Sequence, residues 1–227
     1  MKRQIITTGD GSKTIQIEDW NEQYHSIHGA IQEANHVFIK TGFDYVTANS
    51  KVDKIAILEI GFGTGLNAII TLLKTIKDQI TVDYVGVEAY PVILSEIEQL
   101  NYPELLEDEL ASEKFKAMHN CPWEIQTEIS DNFQLTKYQK RFEAISNSNQ
   151  FNLIYFDAFG ARIQPELWTE AIFQKMYRAL KPHGVLVTYA AKGSVRRAMQ
   201  AVGFNVERLP GPPGKREMLR ATKIFSE

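Results

Sequence analysis

Apolar and polar positions change period several times along this chain, and each change marks an element. Residues 55–60 form a short, nearly continuous apolar run, the pattern of a strand buried on both faces of a parallel sheet. Residues 81–88, 133–136, 151–156 and 185–189 read as further strands. Between them the spacing turns helical. Residues 65–77 carry Leu66, Ile69, Ile70, Leu72 and Leu73, and a second helix begins near Pro91, a proline suited to a first turn. Residues 101–130 read as helical, 139–150 as a polar loop. A helix opened by Pro165, Glu166, Leu167 and Trp168 reaches Leu180, where Lys181, Pro182, His183 and Gly184 stop it. Residues 193–199 predict a helix with Ser194 near its cap. The chain closes with strands at 204–208 and 217–224, separated by a Gly/Pro loop at 210–214.

The N-terminal part reads differently. Two β-rich runs within residues 4–18 flank Gly9, Asp10 and Gly11, a hairpin signal. A helical pattern then runs from His25 through Val37, Phe38 and Ile39, unusually polar for a core helix, with Ser26, His28, Glu33 and His36 close together. Exposed histidines on an amphipathic helix account for it as well as a binding role does. No cysteines or acids stand at ligand spacing, so no metal is expected. Strands alternating with helices predict an α/β, doubly wound, mostly parallel sheet, and the last two strands predict an antiparallel edge. The expected organisation is a hairpin-and-helix extension over 1–50 on a catalytic domain over 51–227.

The first buried strand ends in Gly61, Gly63 and Gly65, with a helix behind them. Such a turn lets a ligand lie against the backbone and face the free N–H groups of the helix. A dinucleotide fingerprint needs a small residue at position 66, which is Leu66 here. An acid two residues before the first glycine gives the form E-x-G-x-G-x-G, from Glu59 to Gly65 with Phe62 and Thr64 between, followed by Asn67. This resembles motif I of the class I S-adenosylmethionine (SAM) methyltransferases. A carboxylate there suits a cationic ligand and harms a pyrophosphate one. A tight turn with no ligand is the plain alternative. Glu88 closes the second strand, where an acid takes ribose hydroxyls in nucleotide-binding α/β folds.

Composition narrows the class without choosing a function. Among the 227 residues, 44% are hydrophobic and 23% charged, ordinary values for a globular protein. No apolar run approaches the roughly 18 residues of a membrane span, and the first residues hold no signal-peptide core. Cys121 is the single cysteine, which together with these features predicts a cytoplasmic protein. The net charge is −3, yet residues 190–227 carry eight basic and three acidic residues. That asymmetry suggests an anionic partner, or simply a solvated charged face.

A second informative stretch follows the strand at 151–156: Asp157, Ala158, Phe159 and Gly160. In open α/β sheets ligands bind beyond the carboxyl ends of the strands, which places the glycine turn, Glu88 and Asp157 around one crevice. Methyl transfer to an amine needs a neutral nitrogen. A carboxylate such as Asp157 can hold the amine and receive its proton. Phe159 either walls that site or packs in the core.

Taken together, the blocks Tyr24-His25-Ser26, Gly29-Ala30, Glu33, His36 to Ile39, Leu58 to Asn67, Asp157-Ala158-Phe159, Gln164 to Trp168 and Lys215 to Leu219 resemble a known family. They are similar to the methyltransferase domain of the bacterial tRNA-modifying MnmC enzymes, found alone as MnmD. The likeness spans about residues 24–223 and is weakest over 101–150. It implies methylation of the 5-aminomethyl group of a wobble (2-thio)uridine in tRNA, giving 5-methylaminomethyl-2-thiouridine. It further implies that Glu59, Gly61, Phe62, Gly63, Thr64, Gly65 and Asn67 hold SAM, and that Glu88 holds its ribose. Asp157 and Phe159 would serve the target amine and Ser26, Glu33 and His36 the uridine pocket. Lys192, Arg196, Arg197, Lys215 and Arg216 would contact tRNA phosphate.

The chain departs from the family at Ala161 and at Pro182-His183-Gly184, and no Gly-Asp pair follows the third strand. Lys140-Arg141 falls there, which leaves the adenine contact unassigned. No flavin-dependent oxidase half is present in the sequence, so a separate oxidase is the expected supplier of the aminomethyl substrate. The competing readings are a small-amine methyltransferase or aminopropyltransferase, and a non-catalytic RNA-binding module on the same fold.

Overall fold

The computed structural model describes residues 2–49 and 54–224, so the expected boundary between residues 50 and 51 lies outside the described residues, as do the last three of the basic C-terminal segment. The N-terminal hairpin is present as β1 (Arg3–Thr7) and β2 (Lys13–Ile17), with β3 (Glu22–Gln23) added to β2. Its turn has a second use. Helix α1 (Ala30–Ala34) has no capping side chain of its own. Ser12 Oγ accepts the Ala30 N–H at 3.2 Å and Asp10 Oδ2 that of Gln32 at 3.0 Å, so the hairpin caps the helix from outside.

The helix does not continue uniformly. A π-helical stretch (Asn35–Phe43) precedes α2 (Asp44–Asn49). Thr41 Oγ1 donates to the His36 carbonyl at 2.8 Å, a bond across the wider turn. Gly42 presses on the sheet, where a Cβ would stand 2.9 Å from Val187 Cγ2. Hydrophobic spacing shows that a helix exists here but carries no signal for its width.

The remaining elements are β4 (Lys54–Ile60), α3 (Leu66–Asp78), β5 (Thr81–Glu88), α4 (Leu94–Ile97), α5 (Tyr102–Leu105), α6 (Ala111–Asn120), β6 (Thr127–Ser130), β7 (Phe133–Gln139), β8 (Phe151–Phe156), α7 (Glu170–Ala179), β9 (Leu180–Thr188), α8 (Gly193–Ala201), β10 (Phe204–Pro210) and β11 (Glu217–Lys223). They form an eight-stranded sheet in the order β10-β11-β9-β8-β4-β5-β7-β6. Strands β9, β8, β4, β5 and β7 are mutually parallel, whereas β11 and β6 run against them; β10 pairs antiparallel with β11 and so points the same way as β9. The expected doubly wound sheet with an antiparallel edge is therefore found, with an antiparallel strand at the other edge as well.

Alternation along the strands divides the core between the two faces. Ile55, Ile57, Leu153, Tyr155, Val185 and Val187 face the helices of residues 30–49 and α3. Leu58, Ile60, Ile154, Phe156 and Leu186 face α7 and α8. Ile15, Ala30, Ala34 and Val37 belong to the first of these clusters, so the N-terminal segment shares the core of the sheet. Among the described residues no helix is long and apolar enough to cross a membrane.

Several expected elements are corrected. The helix placed near Pro91 begins at Leu94 and is one turn long. Residues 101–130 hold two helices and then β6, which pairs with β7. The segment expected to stop a helix at 181–184 is instead part of β9, with a register shift against β8 and His183 at φ 62°. Pro165–Trp168 is a 3₁₀ turn ahead of α7. Ser194 does not cap α8, whose N-cap Lys192 makes no side-chain capping bond.

Candidate active site

The carboxyl ends of β4, β5, β7, β8 and β9 open into one cavity of about 920 Å³. Three loops build its floor. After β4 the chain turns through Gly61 (φ 89°) and Gly63 (φ 50°). A Cβ on Gly61 would lie 2.7 Å from the Asp157 carbonyl, so glycine is what lets the β4 and β8 loops touch. The turn is tied to β5 by the N–H groups of Gly61 and Phe62, both donating to the Val87 carbonyl.

Glu88, at the end of β5, faces the cavity half-buried. Its Oε2 accepts the Gly63 N–H at 3.0 Å and its Oε1 the Tyr90 N–H at 2.9 Å. Two backbone bonds fix the carboxylate while each oxygen keeps a lone pair to offer. Arg141, Phe142 and Glu143, beyond β7, continue the wall on this side.

Asp157 follows β8, and its N–H bonds the Ile60 carbonyl at 2.9 Å. Burial pushes its carboxyl up to about 7, the neighbouring Glu33 adds to the rise, and a bond from Asn67 and the charge of Lys215 work against it. Phe159, two residues on, meets Tyr24 edge-on at 5.0 Å and Trp20 at 5.7 Å. Trp168 Nε1 donates to the Phe159 carbonyl at 2.7 Å and Tyr189 Oη to that of Ala158 at 2.8 Å, so the loop is held from behind. Glu33 and Ser26 stand on the same side, Glu33 accepting the Ser26 N–H at 3.0 Å and pairing with Lys215.

Of the residues singled out in the sequence, Ser26, Glu33, Gly61, Phe62, Gly63, Thr64, Glu88, Asp157, Phe159, Lys192, Lys215 and Arg216 reach the cavity. Others do not. Glu59 is fully buried, its oxygens taken by Tyr84 Oη at 2.8 Å and Asn67 Nδ2 at 2.9 Å. Burial raises its carboxyl well above the usual range, only partly offset by those bonds. It is therefore no surface charge for a cationic ligand. Asn67 lies beside it, bonding Asp157 Oδ2 at 2.8 Å, which makes Tyr84, Glu59, Asn67 and Asp157 one hydrogen-bonded chain beneath the floor.

Four more of these residues lie off the cavity wall. Gly65 packs under His119, and His36 bonds the Pro210 carbonyl at 2.8 Å outside the cavity. Arg196 and Arg197 lie on α8, away from its lining, and Lys215 points at Glu33 rather than outward. Sequence reasoning missed Trp20, Tyr189 and residues 141–143. Trp20 comes from the hairpin extension and meets Phe159 only through the fold. Tyr24 and His25 were legible only as part of a family block. His25 Nε2 bonds Thr64 Oγ1 at 2.8 Å, and burial lowers its ring to about 4, which leaves it neutral. Among the described residues no group of three His, Cys, Asp or Glu side chains is placed to hold a metal ion.

A family model described as S-adenosyl-L-methionine-dependent methyltransferase matches residues 107–224, just over half of the chain. The chain belongs to this methyltransferase family. The match runs through 107–150, the stretch in which family likeness was expected to be weakest. The methyltransferase is also similar to proteins of *Hydrogenovibrio crunogenus* and *Pseudomonas syringae*, both named tRNA 5-methylaminomethyl-2-thiouridine biosynthesis bifunctional protein MnmC. The first is 26% identical over 96% of this chain and the second 27% over 91%. The chain spans about a third of the length of each. The structure of MNMC2 from *Aquifex aeolicus* superposes with a TM-score of 0.78 at 25% identity, covering 98% of this chain and 70% of that one. The sheet is thus the Rossmann-like one of class I methyltransferases, and its cofactor is SAM. The glycine turn fits that cofactor, because its positive-φ backbone and the fixed Glu88 carboxylate both face the cavity.

Proposed function

We propose that this methyltransferase acts on the 5-aminomethyl group of a wobble (2-thio)uridine in tRNA, producing 5-methylaminomethyl-2-thiouridine. The observation that carries the reading is the placement of Asp157 and Phe159 in the same cavity as the glycine turn and Glu88. The printed names of the relatives support the choice of substrate.

Bound SAM would supply an activated methyl group, the C–S bond breaking as its sulfonium becomes the neutral thioether of S-adenosylhomocysteine. The protein's residues then divide the remaining work. Gly61, Phe62, Gly63 and Thr64 would hold the donor and Glu88 would take its ribose hydroxyls. Residues 141–143, on the same wall beyond β7, would face its adenine. Asp157 holds the acceptor amine by an N–H···O bond, orients its lone pair and receives its proton. Asn67 and, behind it, Glu59 and Tyr84 aim that carboxylate. Phe159, with Trp20 and Tyr24, forms an aromatic wall for a base splayed out of a single-stranded loop. The segment before residue 50 acts in this reading as an extension that completes the acceptor side, and an oxidase, fused or separate, supplies the aminomethyl substrate.

The test is transfer of tritium from labelled SAM to tRNA from cells lacking this modification, with free nucleoside and polyamines in parallel. Label is expected in 5-methylaminomethyl-(2-thio)uridine. Label in polyamines alone sinks the tRNA reading, and measurable SAM binding without any transfer favours a binding module.

Lys192, which precedes α8, and Arg216 border the cavity, and Arg196 and Arg197 follow on α8. We assign them to tRNA phosphate. Charge reversal of Arg196 and Arg197 to Glu is expected to raise the KM for tRNA by about tenfold or more and to flatten its salt dependence. An unchanged salt slope removes α8 from the interface.

A further inference from the structure

Two carboxylates and one lysine meet at the acceptor end of the cavity. The Glu33 side chain is only 7% exposed, and the Lys215 ammonium pairs with it. The same ammonium stands 3.9 Å from the centroid of the Tyr189 ring. A carboxylate and an aromatic face are the two groups that recognise an ammonium ion. The chain thus places a cation of its own where an amine ligand would be recognised, and of these two carboxylates it is Glu33, not Asp157, that is ion-paired among the described residues. His25, which feels both Glu33 and Lys215, is buried and neutral and adds no charge. Glu22 stands further off, felt at Tyr189 and already paired with Arg162 at 3.2 Å.

The position of Lys215 is built into its loop. Its N–H donates to the Pro212 carbonyl at 2.9 Å, and the Gly211 N–H to that of Arg216 at 3.1 Å. The His36 ring bonds the Pro210 carbonyl, and Gly214 sits against His28, where a Cβ would come within 2.0 Å of the ring. We propose that Lys215 is a specificity-determining residue that fills the second cation position of the pocket. It leaves Asp157 as the single carboxylate open to an acceptor amine and excludes diamines and polyamines. The inference rests on the reading of this cavity end as an amine-acceptor site.

Removing the lysine charge should open the second position. The probes are α,ω-diamines of about three to six carbons, since a binder must satisfy two carboxylates at once. Their binding is measured calorimetrically at low salt in the presence of S-adenosylhomocysteine, for wild type, Lys215→Ala and Lys215→Gln. Gln keeps a hydrogen bond to Glu33 without the charge, so it serves if the alanine variant folds poorly. At least one diamine is expected to bind either variant about tenfold or more tightly than wild type. Adding Glu33→Gln to the variant should abolish the gain. No gain in either variant, at wild-type affinity for S-adenosylhomocysteine, overturns the proposal. So does a gain that survives Glu33→Gln. Diamine binding needs no tRNA, so a wild type inactive on tRNA would defeat the functional reading without deciding this one.

Discussion

Asp157→Ala is expected to lower the methyl-transfer rate by about a hundredfold or more while leaving SAM affinity nearly unchanged. The carboxylate follows β8, bonded by Asn67 and close enough to Glu33 and Lys215 to feel their charges. Its removal deletes the acceptor's hydrogen-bond partner and the sink for its proton. The donor's contacts stay in place. Single-turnover rates with labelled SAM, beside calorimetric SAM binding, separate the two. Loss of SAM binding would move Asp157 into the cofactor site and sink the assignment.

The pH profile offers a second readout of the same residue. Burial and Glu33 raise the Asp157 carboxyl to about 7, and the base form is the one that accepts a proton. The rate is therefore expected to climb through about pH 7 in wild type and to lack that limb in Asp157→Asn. Stability should move the other way. Between the ordinary carboxylate range and about 7 the folded protein holds a proton that the unfolded chain has lost, so stability falls as pH rises through this window. Asp157→Asn should accordingly melt above wild type at pH 8 and gain nothing at pH 4. Equal melting shifts at both values would show that Asp157 is not the group being titrated.

The parts of this site that were legible in the sequence are those set by local chain geometry. Gly61, Gly63, Glu88 and Asp157 each stand at the end of an apolar run, and topology alone brings strand ends to one side of a sheet. What was not legible depends on direction or distance. Glu59 and Asn67 stand in a cofactor motif, yet a strand's period of two turns Glu59 inward, where Tyr84 and Asn67 receive it. Trp20 and Phe159 are far apart in the chain, and nothing local announces their contact. Lys215 reads as one more basic residue in a basic segment. Only the fold shows that Glu33, on the helix capped by the hairpin, faces it. Part of the charge of the basic segment is therefore taken up by carboxylates of the same protein. Arg208 and Arg220 lie near Glu217 and Glu207, strand neighbours that partly neutralise them.

Glu88→Ala should produce the opposite kinetic pattern to Asp157→Ala. Its carboxylate is held by the N–H groups of Gly63 and Tyr90, which commits it to one position before any ligand arrives. A hydrogen bond from a ribose hydroxyl to a charged acceptor contributes about 1.5–3 kcal/mol. SAM affinity is therefore expected to fall by about tenfold to a hundredfold, part of the loss coming from a glycine turn that no longer has its anchor. At saturating SAM the transfer rate should stay close to wild type, because the acceptor end is untouched. Calorimetry with S-adenosylhomocysteine and the rate at saturating SAM check the two halves. An unchanged affinity would mean that the ribose is held elsewhere, with residues 141–143 the next to test. A rate lost even at saturation would mean that the turn transmits its disorder to Asp157, through the contact between Gly61 and the Asp157 carbonyl. The two carboxylates end neighbouring regions of one sheet, and the contrast between their variants assigns one to each substrate.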